Sequence, residues 1–346
     1  MTVLHLRGPA LPGGEVLDLW TDGDRWTTDP VAGAELIEGW LLPGLVDAHT
    51  HPGAEQPGDP LDENVLRGDL EAHVDNGVTL IRSPGLAAEP PEWFGQDPAL
   101  PRAVHAGPWI AQLGQFFDGW GRRADHDELP GIAAAQAART GWAKIIADWQ
   151  YGDPHVPEDV LRQIVERVHA VGGRVAVHSQ RPGGGTAAVH AGVDSVEHGM
   201  GLDPGLLPEM AARGIAFTPT LSVLQDTMPR ALAQPDSPSR RERIRSVGAH
   251  PALVAAAVEA GVTVLAGTDT RPMGGIAVEI RALLAAGVPA HDALAAGSWS
   301  ARAYLGLAGL EPGAPADAVV YASDPRTDMA MLDHPRAVIL RGVRVR

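Results

Sequence analysis

His49-Thr50-His51 closes an apolar run, Trp40-Leu41-Leu42-Pro43-Gly44-Leu45-Val46-Asp47-Ala48. Alternate residues of a strand share a face, so the two imidazoles project together from one strand end. Neutral imidazole is the commonest protein ligand for zinc-like metals. An isolated His-x-His is as readily a surface pair, or one core and one loop histidine. Four more candidate ligands follow, each at the C-terminal end of a short β-like run. Lys144 lies in Trp142-Ala143-Lys144-Ile145-Ile146-Ala147, and His178 closes Gly173-Arg174-Val175-Ala176-Val177-His178. His198 sits in Val193-Asp194-Ser195-Val196-Glu197-His198-Gly199, and Asp269 ends Val262-Thr263-Val264-Leu265-Ala266-Gly267-Thr268-Asp269. Any one of these alone reads as a satisfied polar residue at a strand end. The ordered series of two His, a Lys, two His and an Asp reads as a metal centre.

Such a series needs elements that bring distant residues to one place. Strands are expected at Leu45–His49, Thr79–Arg82, Arg102–Ala106, Ala143–Ala147, Val175–His178, Ser195–His198, Ala216–Thr220 and Thr263–Ala266. Helices fit between them at Asp62–Asn76, Leu129–Thr140, Glu158–Val171, Gly185–Ala191, Pro204–Arg213 and His250–Ala260. Asn76-Gly77, Gly172-Gly173, Ala191-Gly192 and Ala260-Gly261 mark helix ends by their glycines. Val160, Ile164, Val165 and Val168 give the third helix a one-sided apolar face. Eight strands alternating with helices imply an α/β fold, a (β/α)8 TIM barrel, whose active site lies at the C-terminal strand ends. The candidate ligands fall at those ends of expected strands one, four, five, six and eight. The stretch 107–128 shows no clear regular structure and carries Trp109, Phe116, Phe117 and Trp120, which suits a substrate wall or a lid.

Both chain ends read differently. Short strands with turns are expected at Val3–Leu6, Val16–Trp20, Arg25–Thr27 and Leu36–Leu41, then again at Ala318–Ala322 and Ala337–Arg346. A small β-sandwich domain built from 1–42 and 311–346, with the barrel over 43–310, is the economical division.

The 346 residues carry no cysteine, so disulfides and thiolate metal sites are excluded. Their net charge of −16 argues against nucleic acid or an anionic membrane as partner. A small-molecule substrate and a cytoplasmic location are expected, and a homo-oligomer is left open. The N-terminal stretch has no signal-peptide pattern, and no spanning helix is evident.

The chain resembles the amidohydrolase superfamily of metal-dependent hydrolases, whose ligands arrive as His-x-His, Lys, His, His, Asp. The resemblance rests on Leu42-Pro43-Gly44-Leu45-Val46-Asp47-Ala48-His49-Thr50-His51, Glu197-His198-Gly199, Gly267-Thr268-Asp269 and the tail Leu310-Glu311-Pro312-Gly313-Ala314-Pro315-Ala316-Asp317-Ala318-Val319-Val320. Within the superfamily it is most similar to the branch of imidazolonepropionase-like hydrolases and metal-dependent prolidases.

The resemblance implies two divalent ions, most simply zinc, and a CO2-derived carbamate on Lys144 bridging them. His49, His51, Lys144 and Asp269 would hold the first ion, and Lys144, His178 and His198 the second. A hydroxide activated between them would attack an amide-type C–N bond, with Asp269 as the base. The rival readings are a mononuclear cyclic-amide hydrolase or deaminase with unmodified Lys144, a lactonase or phosphoesterase on the same site, and a metal-binding protein without turnover. Deaminases of the superfamily usually carry a glutamate three residues after the strand-five His, where this chain has Arg181. Prolidase-like members usually have Gly-Gly-His after strand three, where this chain reads Leu113-Gly114-Gln115-Phe116-Phe117-Asp118. Substrate contacts are expected from His105, Gln115, Trp120, Tyr151, Arg181, Thr220 and Arg271, with either of the last two arginines able to pair a carboxylate. His73, His169, His190, His250 and His291 fall in helices as packing or surface residues, and His126 and His155 in loops.

Overall fold

Short apolar runs broken by Gly-Gly and Asp-Gly-Asp turns start the chain as strands. The structure, a computed structural model, describes residues 2–346. β1 (Leu4–Pro9), β2 (Val16–Asp22), β3 (Arg25–Thr27) and β4 (Glu35–Glu38) form one sheet in the order β3-β2-β1-β4. β5 (Trp40–Pro43) then leads straight into the first parallel strand, β6 (Leu45–Asp47).

From there strands and helices alternate. α1 (Glu63–Asp75) precedes β7 (Val78–Ser83), which is followed by β8 (Arg102–His105), β9 (Ile110–Gln112) and β10 (Arg122–Ala124). α2 (Leu129–Thr140), β11 (Trp142–Ile146), α3 (Glu158–Ala170), β12 (Arg174–Ser179), α4 (Pro182–Ala191) and β13 (Ser195–His198) come next. α5 (Leu207–Arg213), β14 (Ala216–Thr218), α6 (Leu221–Ala233), α7 (Pro238–Glu259), α8 (Ile276–Ala285), α9 (Ala290–Ala296) and α10 (Trp299–Tyr304) complete the series.

β6, β7 and β8 pair in parallel, as do β9, β11, β12, β13 and β14. Two junctions join these sheets into a ring. β8 runs on through Gly107 into β9, and Leu86 N donates to Gly107 O at 3.0 Å. On the other side, Leu265 N donates to Phe217 O at 2.9 Å and Ala48 N to Ala266 O at 2.8 Å. The arrangement is of the TIM-barrel type, with helices packed outside. α3 shows why: Val160, Leu161, Ile164, Val165 and Val168 recur on one face and are buried. Each such side chain stabilises the packed state by about 1.5–3 kcal/mol.

The chain ends in β15 (Ala318–Tyr321), β16 (Ala337–Leu340) and β17 (Val343–Arg344), ordered β17-β16-β15-β5. This sheet and the first enclose one apolar cluster that includes Leu6, Leu19, Trp26, Leu41, Val320 and Ile339. Among the described residues no helix is long and apolar enough to cross a membrane.

Several expectations shift. Thr263–Ala266 occupies the eighth ring position without a continuous ladder, because its hydrogen bonds are shared among Phe217, Ala48 and Ala296. The 107–128 stretch contains β9 and β10, parallel to each other. The expected helix at His250 is the second half of α7, which starts at Pro238 behind a Ser237 cap whose side chain accepts from Arg240 N. Pro251, one residue past the expected start at His250, lies inside that helix. The expected helix over 204–213 is a short tight turn followed by α5. α6, α8, α9 and α10 were not anticipated.

Candidate active site

His49 and His51 lie just past the end of β6, and Asp47 shapes that exit. Its buried carboxylate accepts from His49 N at 3.2 Å, Thr268 N at 3.1 Å and Thr268 Oγ1 at 2.6 Å. Asp269 N donates to His49 O at 2.8 Å, so the first and last ring segments end side by side. Gly267 permits this approach, because a Cβ there would collide with the backbone and Cβ of His49. Asp269 adopts φ 50° and His198 φ 64°. Left-handed backbone at non-glycine residues costs of order 1–3 kcal/mol each and gathers at functional sites.

The side chains converge. His49 Nε2 and His51 Nε2 are 3.1 Å apart, and Asp269 Oδ1 stands 3.2 Å from His51 Nε2 and 3.6 Å from His49 Nε2. One ligand atom from each of these three residues fits within 4.8 Å of the others, a spacing that suits one metal ion. His178 and His198 meet edge to face with ring centroids 4.6 Å apart, and His198 lies 4.9 Å from His49. Asp269 Oδ2 is 3.8 Å from His198 Nδ1. Lys144, buried at the middle of β11, lines the same cavity. All six expected ligands are therefore brought together.

A second layer orients them. His49 Nδ1 pairs with Glu197 Oε2 at 2.7 Å, His51 Nδ1 with Gly85 O at 2.6 Å, and His198 Nδ1 with Thr220 Oγ1 at 2.9 Å. An acceptor at Nδ1 fixes the proton there for His49 and His51 and leaves the Nε2 lone pair toward the cluster. Glu197 is held in turn by Arg82, whose Nη2 lies 2.7 Å from Oε2 and whose Nε donates to Ala48 O at 2.7 Å. Sequence reasoning passed over Glu197, Arg82 and Asp47. Charged residues inside otherwise apolar strands were the signal available for all three.

Burial, reinforced by Lys144 beside His49 and His178 and by neighbouring imidazoles, holds His49, His178 and His198 well below the ordinary histidine range. They are neutral, as ligation requires. Burial pushes Glu197 up, but Arg82 and Lys144 outweigh it and keep the carboxyl below its usual value. Burial lowers the Lys144 ammonium to about 8. Lys144 Nζ and His178 Nε2 are buried without a hydrogen-bond partner. Leaving such atoms unpaired costs about 1–3 kcal/mol each. A donor set of imidazole and carboxylate without thiolate suits zinc-like ions, so the residues fit the implied metal.

The cavity above the centre encloses about 580 Å³. Trp109 and Trp120 stack at 4.6 Å, and Phe116, Phe117 and Trp149 extend the wall. The 107–128 stretch is thus a wall of the cavity. Asp148 accepts from Gln180 N at 2.8 Å and so fixes Gln180 at the cavity edge. Trp149, Gln180 and Arg230 line the cavity and were not anticipated; they follow strand ends or lie on α6 with no distinguishing pattern.

Of the expected substrate contacts, Trp120 and Arg271 line the cavity. Arg271 is already engaged, with Asp69 through both guanidinium nitrogens and with Ala54 O at 3.0 Å. His105 does not reach the cavity, since its ring packs against Phe94 at 5.5 Å. Gln115 is buried and donates to Pro154 O at 2.8 Å. Tyr151 is exposed under the Arg181 guanidinium, and Arg181 pairs with Glu242 at 2.9 Å. Thr220 supports His198 and stands outside the lining. His73 and His250 are buried packing residues; His126 Nε2 contacts Gln112 Oε1, and His155 packs near Gly183. His169 and His190 pair with Asp194 and Glu158 at the surface, and His291 packs against Trp299.

Known proteins resemble this arrangement. An uncharacterised protein of Mycobacterium tuberculosis is 40% identical over 355 residues, covering 98% of this chain and 95% of that protein. The structure of a Xaa-Pro dipeptidase with bound methionine superposes with a TM-score of 0.82 at 20% identity, covering 99% of both chains. That of ochratoxinase from Aspergillus niger gives a TM-score of 0.81 at 20% identity, covering 99% of this chain and 96% of the other. At those identities the two structures speak to the fold. The model of the amidohydrolase family matches residues 40–345, and this chain belongs to that family.

Proposed function

We propose that this amidohydrolase-family hydrolase cleaves an amide bond of a small molecule at a two-metal centre. His49, His51, Lys144, His178, His198 and Asp269 would hold the ions, with zinc favoured by the donor types and Lys144 carrying a carbamate. Divalent ions bound here lower the pKa of water and polarise a carbonyl. The chain's own groups do the rest. Asp269, beside His49 and His51, accepts the proton of the attacking water and delivers it to the leaving nitrogen. Neutral Lys144 adds through Nζ to CO2, forming an N–C bond and releasing one proton, which leaves a carboxylate-like anion. With its pKa near 8, roughly a tenth of Lys144 is neutral at pH 7, against under a thousandth of an ordinary lysine.

The observation that carries this reading is the convergence of six ligand-type residues around two buried, unpartnered nitrogens. A single-ion version is favoured by one fact, the tight grouping of His49, His51 and Asp269. Elemental analysis separates the two: near two ions per chain supports the bridged centre, one supports the rival, and none after metal and bicarbonate supplementation refutes both. A panel of amides, lactones and phosphoesters tests the bond cleaved. Arg181, paired with Glu242, stands where a deaminase would carry its glutamate, which favours hydrolysis over deamination. The two terminal sheets are read as one β-sandwich unit, 1–42 with 311–346, beside a barrel over 43–310. The net charge of −16 favours a small-molecule partner over nucleic acid or a membrane surface, with a cytoplasmic location as part of the same proposal.

A further inference from the structure

The aromatic wall spans the metal centre. Trp109 lies 4.9 Å from His51 at one edge, and Trp149 lies 5.9 Å from His178 at the other. Phe116 links them, 5.3 Å from Trp109 and 5.1 Å from Trp149, and holds φ 71° to do so. With only 9 Trp, 4 Phe and 3 Tyr in the chain, five aromatic rings in one cavity wall mark it as a face for a flat apolar group.

The charged side chains of the cavity sort themselves. Lys144 and Asp269 belong to the centre, and Arg271 is engaged by Asp69. Glu55 and Arg230 remain, both exposed on the lining, and neither has a hydrogen bond or ion pair among the described residues. A free guanidinium in a chain of net charge −16 is a local exception that can grip a carboxylate with two parallel hydrogen bonds. Glu55 on the same lining repels a second carboxylate.

We propose that the cavity selects an amide bearing a flat aromatic group, packed on the Trp109–Phe116–Trp149 wall, and a single carboxylate bound by Arg230. Placing the scissile bond over the metal centre rests on the amide-hydrolase reading; the binding selectivity does not.

Calorimetric titration with N-naphthoylglycine, its uncharged primary amide N-naphthoylglycinamide, and the dicarboxylate N-naphthoylaspartate tests this on metal-free and metal-loaded protein. The acid should bind at least about tenfold more tightly than the amide, the range of a hydrogen bond to a charged group. Arg230→Gln, a change at an exposed position, should erase that preference, while Trp149→Ala should weaken acid and amide alike. Equal binding of acid and amide, an unchanged preference in Arg230→Gln, unchanged affinities in Trp149→Ala, or tighter binding of the dicarboxylate overturns the proposal. Hydrolysis of neutral amides without charge preference would refute it and spare the hydrolase reading. The expected binding pattern without hydrolysis of any amide would do the reverse.

Discussion

An ordinary lysine is almost wholly protonated at pH 7, and an ammonium has no lone pair for CO2 or a metal. Lys144 escapes this because burial lowers its pKa to about 8. Metal uptake by metal-free protein should therefore depend on bicarbonate and grow as pH rises toward 8, and isotope-labelled bicarbonate should give a carbamate resonance absent from Lys144→Ala. That variant should lose both metal and activity. Two retained ions with full activity would leave the lysine a structural role only. Asp269→Asn tests the base. The change is nearly isosteric, and an amide oxygen can still touch a metal but cannot usefully accept a proton. Turnover should fall at least about 10²-fold, with more metal retained than in His178→Ala. Near wild-type turnover with metal in place would assign the base elsewhere.

Helix α6 illustrates how an element is held for the site. Glu279 of α8 is buried and accepts from Leu221 N at 2.8 Å, Ser222 N at 2.8 Å and Ser222 Oγ at 2.7 Å, capping the helix from outside it. That cap holds Thr220 at φ 48°, where its hydroxyl meets His198. Glu279→Leu should cost about 1–3 kcal/mol for each N–H left unpaired. A lowered denaturation midpoint together with weaker metal retention would show that the cap also positions His198; a lowered midpoint alone would limit it to stability. This cap is not legible in the sequence, because it joins Glu279 to Leu221 and Ser222, far apart in the chain on two helices that were not expected. Strand ends were more legible. Apolar runs closing on His or Asp are local, and five of the six proposed ligands follow from them, while Lys144 lies inside its run. His105 shows the limit: it also closes an apolar strand, but its side chain faces Phe94 rather than the cavity. Which face a strand end presents depends on the closed ring, and a single strand does not encode it.

Across the whole molecule, one buried carboxylate joins the terminal sheets to the ring. Asp317 meets Arg102 of β8 at 2.8 Å and Arg302 of α10 at 3.2 Å, and accepts from Arg341 N at 2.9 Å. Removing it leaves the Arg302 cation buried and unpaired, so Asp317→Ala should destabilise by about 3–5 kcal/mol, read from denaturant unfolding. Loss below about 1 kcal/mol would mean that water replaces the pair. His250 contributes to an acid limit. Burial lowers its pKa from 6.5 to about 4, so its neutral form is favoured in the folded chain. Its contribution is complete above pH 6.5 and lost as pH falls through that window toward 4, of order 3 kcal/mol in all. His250→Leu should make the stability profile less steep over that window, the remainder being carried by groups such as His73, which burial lowers to about 3, and an unchanged slope would remove His250 from the acid response. The two terminal sheets have a further consequence in time. β5 forms its ladder with β15, and the turn at Asp24–Trp26 bonds to 313–316, nearly three hundred residues later in synthesis. At ribosomal speed that interval is on the order of tens of seconds. Throughout it β1–β4 and β6 have partners within the first hundred residues, whereas β5, which leads straight into β6 and so into His49 and His51, waits for β15 to complete its ladder.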